Sequence, residues 1–350
     1  GRDERARGAR VTASQRSPRP ARQRHVAVVG ATGAVGREFL AVLAAREFPL
    51  ASLRLFASPR SVGQRLEFGG ERLPVEALGP DSFRGVDVCL FSAGAATARE
   101  HAPRAVAAGA LVIDNSSAFR LHDDVPLVVP EVNADALAAH QGLIANPNCS
   151  TILLAVVAAP LHHAAGLEAL VVSTYQAASG AGAQALAELR AATAAALHGT
   201  AAPLPRALPQ SLAFNVFPHV DVFQPDGYTR EEDKLLHELR KILGLPQLRV
   251  DATCVRVPVE RCHSEALVVD LERPLAVEAA AAVLAAAPGL ELVPAMAEPP
   301  YPMPRERSGR DAVAVGRLRR GRVFEHGLTF WLVGDQLRKG AALNAVQIAE

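Results

Sequence analysis

The chain has 350 residues, enough for about two domains, and a globular composition of 49% hydrophobic and 21% charged residues. No uninterrupted apolar run reaches the length of a membrane span, and a formal net charge of +1 offers no basic surface for nucleic acid. Cys89, Cys149, Cys254 and Cys262 show no CxxC spacing; this argues against a metal site or redox pair and fits free thiols in a reducing, cytoplasmic setting.

The small net charge hides an asymmetry. Residues 1–24 hold eight arginines against Asp3 and Glu4, so the rest of the chain is mildly acidic. This head has no apolar periodicity and is expected to be disordered. A targeting presequence is the weaker reading, because of the acidic pair and the missing apolar face. The chain opens on Gly1 rather than Met and stops at Glu350 inside a helical pattern, so truncation at both ends is expected.

Order is expected from His25. "HVAVVG" reads as a buried strand, "ATGAVG" as a glycine turn and "REFLAVLAARE" as a helix. Strand, glycine turn and helix open a dinucleotide-binding βαβ unit. Gly30, Gly33 and Gly36 have GxxGxxG spacing rather than the commoner GxGxxG. Small residues there admit a pyrophosphate to the helix N-terminus; a tight connection without ligand is the alternative. Thr32, Ala34 and Val35 complete the expected cradle.

The next strand, "SLRLFAS", ends without the acidic residue that accepts from NAD ribose hydroxyls. Ser58, Arg60 and Ser61 follow, and an arginine flanked by hydroxyls suits a 2′-phosphate, so the expected cofactor is NADP. "VDVCLFSAG" is a further buried strand, with Ser92 and Gly94 at its ligand-facing end and Cys89 as inert core. "ALVIDNSSAFR" repeats the pattern; Arg120 at its edge is either a salt-bridged surface residue or an anion ligand.

"NPNCSTILLAVVAAPL" places one cysteine at the mouth of an apolar run. Pro147 disfavours helix just before it, and Ser150 onward reads as helix, so Cys149 lies at the helix start. Free N–H groups and the helix dipole there are expected to lower a thiol pKa and to stabilise an oxyanion. Downstream, "LVVSTYQAASGAG" is a strand ending in Gln176 and a small-residue loop holding Ser179 and Gly180. "REEDKLLHELRKILG" is an amphipathic helix on which Glu238 and Lys241 share a face. "TCVRVPVERCHSEALVVDL" gives two strands about a proline turn, with Arg256 on the first and His263 opening the second. Cys262 is expected on the opposite strand face from His263.

In order along residues 25–350, "GATGAVG", "SPRSVG", "DNSSAFR", "NPNCST", "QAASGAG", "RVPVERCHSE" and "DQLRKGAALN" resemble the aspartate-β-semialdehyde dehydrogenases. The resemblance implies an α/β fold: an NADP-binding Rossmann domain over 25–150, completed by a C-terminal helix over 338–350, plus an α+β catalytic and dimerisation domain over 151–337. It implies Cys149 as nucleophile, His263 as acid/base and Gln176 orienting the covalent intermediate. Arg256 would hold the substrate carboxylate and Glu238 its amino group. Arg120 and Lys241 would bind phosphate, with Arg240 a possible sharer. Asn148 would contact substrate and Gln336 cofactor. The family's Glu-Thr-x-Lys reads "ELRK" here, with Leu239 for threonine.

The implied chemistry is reversible: aspartate semialdehyde, NADP and phosphate interconvert with aspartyl phosphate through a cysteine thioester, in lysine, threonine and methionine synthesis. A homodimer is implied, with no metal, nucleic acid or membrane partner. A related acyl reductase such as N-acetylglutamyl-phosphate reductase, a non-catalytic dinucleotide-binding paralogue and a thiol hydrolase remain as alternatives.

Overall fold

The computed structural model describes residues 22–350; the expected disorder of the arginine-rich head falls mostly outside the described residues. The first sheet contains β1 (Arg24–Val29), β2 (Leu50–Phe56), β3 (Arg65–Phe68), β4 (Glu71–Glu76), β5 (Val88–Phe91), β6 (Leu111–Asp114) and β7 (Leu143–Ala145). Their spatial order is β3-β4-β2-β1-β5-β6-β7, parallel apart from the β3–β4 hairpin. The order changes direction about β1, so the crevice outside its carboxyl end is where such sheets take ligands.

The second sheet holds β8 (Leu167–Gln176), β9 (Arg249–Arg256), β10 (His263–Leu271), β11 (Leu290–Leu292), β12 (Val313–Arg320) and β13 (Leu328–Gly334), in the order β11-β12-β13-β10-β8-β9. The helix Cys149–Ala165 is apolar and buried around nearly its whole circumference, as expected of a helix inside a core. It packs on the inner face of this sheet and against the helix Arg230–Leu243. The last segment returns to the first sheet: a π-helical turn, Arg338–Ala342, leads into the helix Leu343–Ala349. Leu343, Ala345, Val346 and Ile348 join the core around Phe39 and Leu43.

Strand alternation makes the inner face of the second sheet a stack of layers. Arg256 pairs with Gln176 at the edge nearest Cys149. Next come Cys254, Thr174 and Glu265, then Ala252, Val172, Leu267 and Phe330. Glu265 is fully buried, and neither carboxyl oxygen has a hydrogen-bond partner among the described residues. Burial raises its pKa well above the ordinary value, so it is a neutral acid in the folded chain.

The unfolded chain ionises this glutamate above its ordinary pKa, whereas the fold keeps it protonated. Stability is therefore present at acid pH and lost as pH rises from that value towards the raised folded one, by about 1.4 kcal/mol per pH unit. Glu265→Gln should remove this slope. Urea unfolding between pH 4 and 8 should show the variant gaining on the wild type as pH rises; parallel curves would mean that Glu265 is ionised in the fold.

Candidate active site

A cavity of about 580 Å³ opens between the two sheets, walled by Gly33–Val35, Ser92, Cys149, Gln176 and Arg256. On the first-sheet side, the helix Ala34–Ala45 starts at Gly33 with no side-chain cap, leaving first-turn N–H groups for an anion. Gly30 has φ +87°, and a Cβ there would lie 2.2 Å from the Ser92 carbonyl. Only glycine fits this turn.

Cys149 is the first residue of its helix. Asn148 is the N-cap: its Oδ1 accepts from the N–H groups of Ser150 (3.0 Å) and Thr151 (3.3 Å), the usual role of asparagine at this position. Asn148 Nδ2 donates to Glu231 Oε1 at 2.9 Å, and Gln176 Nε2 donates to Ser150 Oγ (3.1 Å) and Glu231 (3.3 Å). Glu231 thus anchors the floor of the cavity. Burial alone would raise its pKa, but Lys234 and these hydrogen bonds outweigh it and hold the carboxyl below its ordinary range. Lys234 Nζ lies 3.0 Å from Glu231 and 2.7 Å from Asp221.

The thiol differs from the expectation of an acidic cysteine. Burial, with Glu231 adding to it, pushes Cys149 up to about 12, although Arg120, Arg256 and the Ser150 N–H pull the other way. Helix position alone does not overcome desolvation and a buried carboxylate.

His263 is buried behind the cavity wall. A Cβ on Gly180 would lie 2.8–2.9 Å from its Cε1 and Nε2, so glycine is needed for the ring to reach the wall. The Ala177 N–H donates to His263 Nδ1 at 3.1 Å. Burial, then Arg256, lowers its pKa well below the ordinary value. With Nδ1 accepting, the neutral ring carries its proton on Nε2. That atom has no partner among the described residues. The expected acid/base group therefore stands as a donor at Nε2, not as a base ready to take the thiol proton.

Arg256 Nη1 donates to the Ala177 carbonyl at 2.7 Å while the guanidinium lines the cavity. Arg120 also lines it, but Nε donates to the Asn146 carbonyl (3.0 Å), Nη2 to the Asn115 carbonyl (2.7 Å) and Nη1 to Glu238 (2.9 Å). Among the described residues no group of three His, Cys, Asp or Glu is placed to hold a metal ion.

Residues 25–140 match the family described as semialdehyde dehydrogenase, NAD binding domain, and 158–339 match semialdehyde dehydrogenase, dimerisation domain. Aspartate-semialdehyde dehydrogenases of Synechocystis sp. and Aquifex aeolicus are each 51% identical to it, over 93% of this chain and 96% of theirs. The chain belongs to the aspartate-semialdehyde dehydrogenase family. The crystal structure of aspartate semialdehyde dehydrogenase II from Vibrio cholerae is similar, with a TM-score of 0.91 and 44% identity over 94% of this chain and 98% of that one. A second structure of that protein, described as complexed with ASA, is 43% identical with the same TM-score and coverage. The fold is an NAD(P)-binding Rossmann-type domain with a dimerisation domain.

Within this family fold, three expected positions need correction. Glu238 is buried beneath the cavity, pairing with Arg120 and accepting from the Asn148 N–H at 2.6 Å. Lys241 Nζ donates to the carbonyls of Arg120, His122 and Val125 at 2.6–2.9 Å, tying down that turn. Neither lines the cavity. Arg240 also turns away, its Nε donating to the Leu248 carbonyl at 2.8 Å. Glu231 and Lys234 stand there instead, in the same Glu-x-x-Lys pattern seven residues earlier. Seven residues are two helical turns, or roughly 10 Å along the same face. Spacing cannot distinguish the pairs; only the docking of the helix, which sets Glu231 and Lys234 in the cavity wall and Glu238 beneath it, does.

Of the expected cofactor positions, Gly33, Ala34, Val35, Ser92, Ser179, Gly180 and Gln336 line the cavity. Gly30, Thr32, Gly36, Ser58, Arg60, Ser61 and Gly94 lie outside its walls. Thr32 Oγ1 donates to Ser61 Oγ at 3.2 Å, which fixes the 58–61 turn beside the glycine loop. Arg60 is exposed and makes no ion pair among the described residues. Gln336 is already engaged by protein: Oε1 accepts from the Cys262 N–H (2.8 Å) and Nε2 donates to Ser179 Oγ (2.6 Å).

Proposed function

We propose that the protein catalyses the reversible, NADP-dependent reductive dephosphorylation of L-4-aspartyl phosphate to L-aspartate 4-semialdehyde through a Cys149 thioester, in the route to lysine, threonine and methionine. The observation that carries this is Cys149 at a helix start, facing a cavity that also holds an uncapped dinucleotide-loop helix and three cationic side chains. The likeness to the Vibrio cholerae enzyme complexed with ASA supports the substrate.

Arg256 suits the substrate carboxylate, because a guanidinium binds it with two parallel hydrogen bonds. Glu231 suits the ammonium, and Lys234 with Arg120 the phosphate. An ammonium beside Glu231 offsets that carboxylate's share in holding the thiol proton, and the proton leaves with the departing phosphate. The sulfur attacks the acyl carbon and phosphate leaves. A bound nicotinamide cofactor supplies the hydride chemistry; Gly33–Val35 and Ser92 would hold it. The alkoxide on the Cys149-bound carbon accepts from His263 Nε2–H, since the Ser150 and Thr151 N–H groups are held by the Asn148 cap. Its collapse re-forms the carbonyl and returns the sulfur as thiolate. Gln176, fixed on Ser150 and Glu231, orients the acyl group.

Phosphate-dependent NADP reduction with aspartate semialdehyde tests the proposal; reduction without phosphate, or none, would refute it. NADP preference is assigned to Arg60, which is free to meet a 2′-phosphate beside the glycine loop. Arg60→Ala should weaken NADP about ten- to a hundredfold, a charge-assisted contact of roughly 1.5–3 kcal/mol, while NAD binding changes little. Equal loss for both cofactors, read by fluorescence titration, would exclude that role.

The half-exposed outer face of the second sheet, around Val171, Tyr175, Val268 and Trp331, suits a homodimer contact. A cytoplasmic location is consistent with four unpaired cysteines.

A further inference from the structure

Cys262 has φ +74°, is fully buried and is not glycine. A side-chain-bearing residue keeps this backbone only where its surroundings impose it, and here it immediately precedes His263. Two adjacent residues supply the constraint. Gln336 accepts from the Cys262 N–H at 2.8 Å, and Asp335 accepts from Arg261 Nε at 2.6 Å. Arg261 Nη2 also lies 2.9 Å from Glu38, on the helix that begins at the glycine loop. Arg338 meets the other oxygen of Glu38 at 3.2 Å. The facing loop is stitched to the same segment: Ala178 N–H donates to the Val259 carbonyl (2.8 Å) and Ser179 N–H to that of Glu260 (3.3 Å). Arg261 is far too engaged to be a free surface charge, and no step of the proposed reaction uses it.

We propose that Arg261, clasped by Asp335 and Glu38, is a positioning residue that holds Cys262 left-handed and so aims His263 Nε2 at the cavity. Its clasp to Glu38 makes the dinucleotide-loop helix one wall of the mount, linking the cofactor side of the cavity to the proton-donating side. The effect on turnover rests on the function proposed above; the effect on the ring does not.

Two readouts separate them. The first is kinetic: Arg261→Met should lower kcat about ten- to a hundredfold, the scale of a misplaced reacting group, with semialdehyde KM within about twofold. Because glycine adopts positive φ without strain, Cys262→Gly alone should stay active, and adding it to Arg261→Met should recover most of kcat. Glu38→Gln is the milder second variant, expected to act in the same direction. The second readout is ¹⁵N NMR of the His263 ring. Wild type should show the Nε2–H tautomer, Arg261→Met a mixture of tautomers, and the double variant the wild-type pattern. A lowered Tm with unchanged kcat and unchanged ring signals would overturn the proposal, as would a double variant that recovers neither readout. If the wild type lacks semialdehyde activity, the ring signals still decide.

Discussion

Replacing Cys149 with serine is expected to lower kcat by at least about a thousandfold, since removing a nucleophile disables its whole constellation. NADP affinity should change by less than about threefold, because the glycine-loop cradle is built from the other sheet. The position of the thiol makes a companion measurement informative. Cys149 is partly exposed whereas Cys89, Cys254 and Cys262 are buried, so iodoacetamide should modify Cys149 first even though its thiol is not acidic. Its rate should climb with pH well beyond neutrality, without the plateau of a low-pKa thiolate. Peptide mapping in which another cysteine reacts first, or Cys149→Ser retaining turnover, would remove Cys149 from the reaction.

Glu231 and Glu238 of the helix Arg230–Leu243 should respond in opposite ways. Glu238→Gln leaves the buried Arg120 guanidinium without its counter-charge, a loss of about 3–5 kcal/mol for a broken buried pair, and the Tm should fall steeply. Glu231→Gln keeps the hydrogen bonds from Asn148 and Gln176 and loses the pair with Lys234, but Lys234 retains Asp221, so the Tm should fall much less than for Glu238→Gln. The Glu231 variant should instead raise the semialdehyde KM or depress kcat, by about tenfold or more for a charge-assisted contact. Differential scanning calorimetry beside steady-state kinetics distinguishes them. A stable Glu238→Gln with a raised KM would return the substrate contact to Glu238.

This pair marks the limit of what the sequence discloses. Cys149 was legible because Pro147 and Asn148 are local signals that stop and cap a helix, and the glycine loop because its flanking strand and helix are periodic. Arg256 and His263 were legible as strand-end residues near a turn. Glu231 was hidden by the repeat of Glu-x-x-Lys two turns later, since both pairs occupy one stripe and tertiary docking alone chooses between them. The thiol pKa was hidden for the same kind of reason: the helix start is written locally, but desolvation and the facing Glu231 come from elements far apart in the chain. Nothing in the order of residues foretold the left-handed Cys262, whose conformation is imposed from Asp335 and Gln336.

The return of Leu343–Ala349 to the first sheet matters for how the protein is born. A ribosome releases β1 to β7 long before it reaches the helix that closes their core. At 5–20 residues per second, roughly 200 residues intervene, an interval on the order of 10–40 s. Throughout it, the surface around Phe39 and Leu43 that this helix covers faces solvent. The nascent N-terminal half is thus an unfinished layer that chaperones can hold, and its core closes only once this helix has emerged.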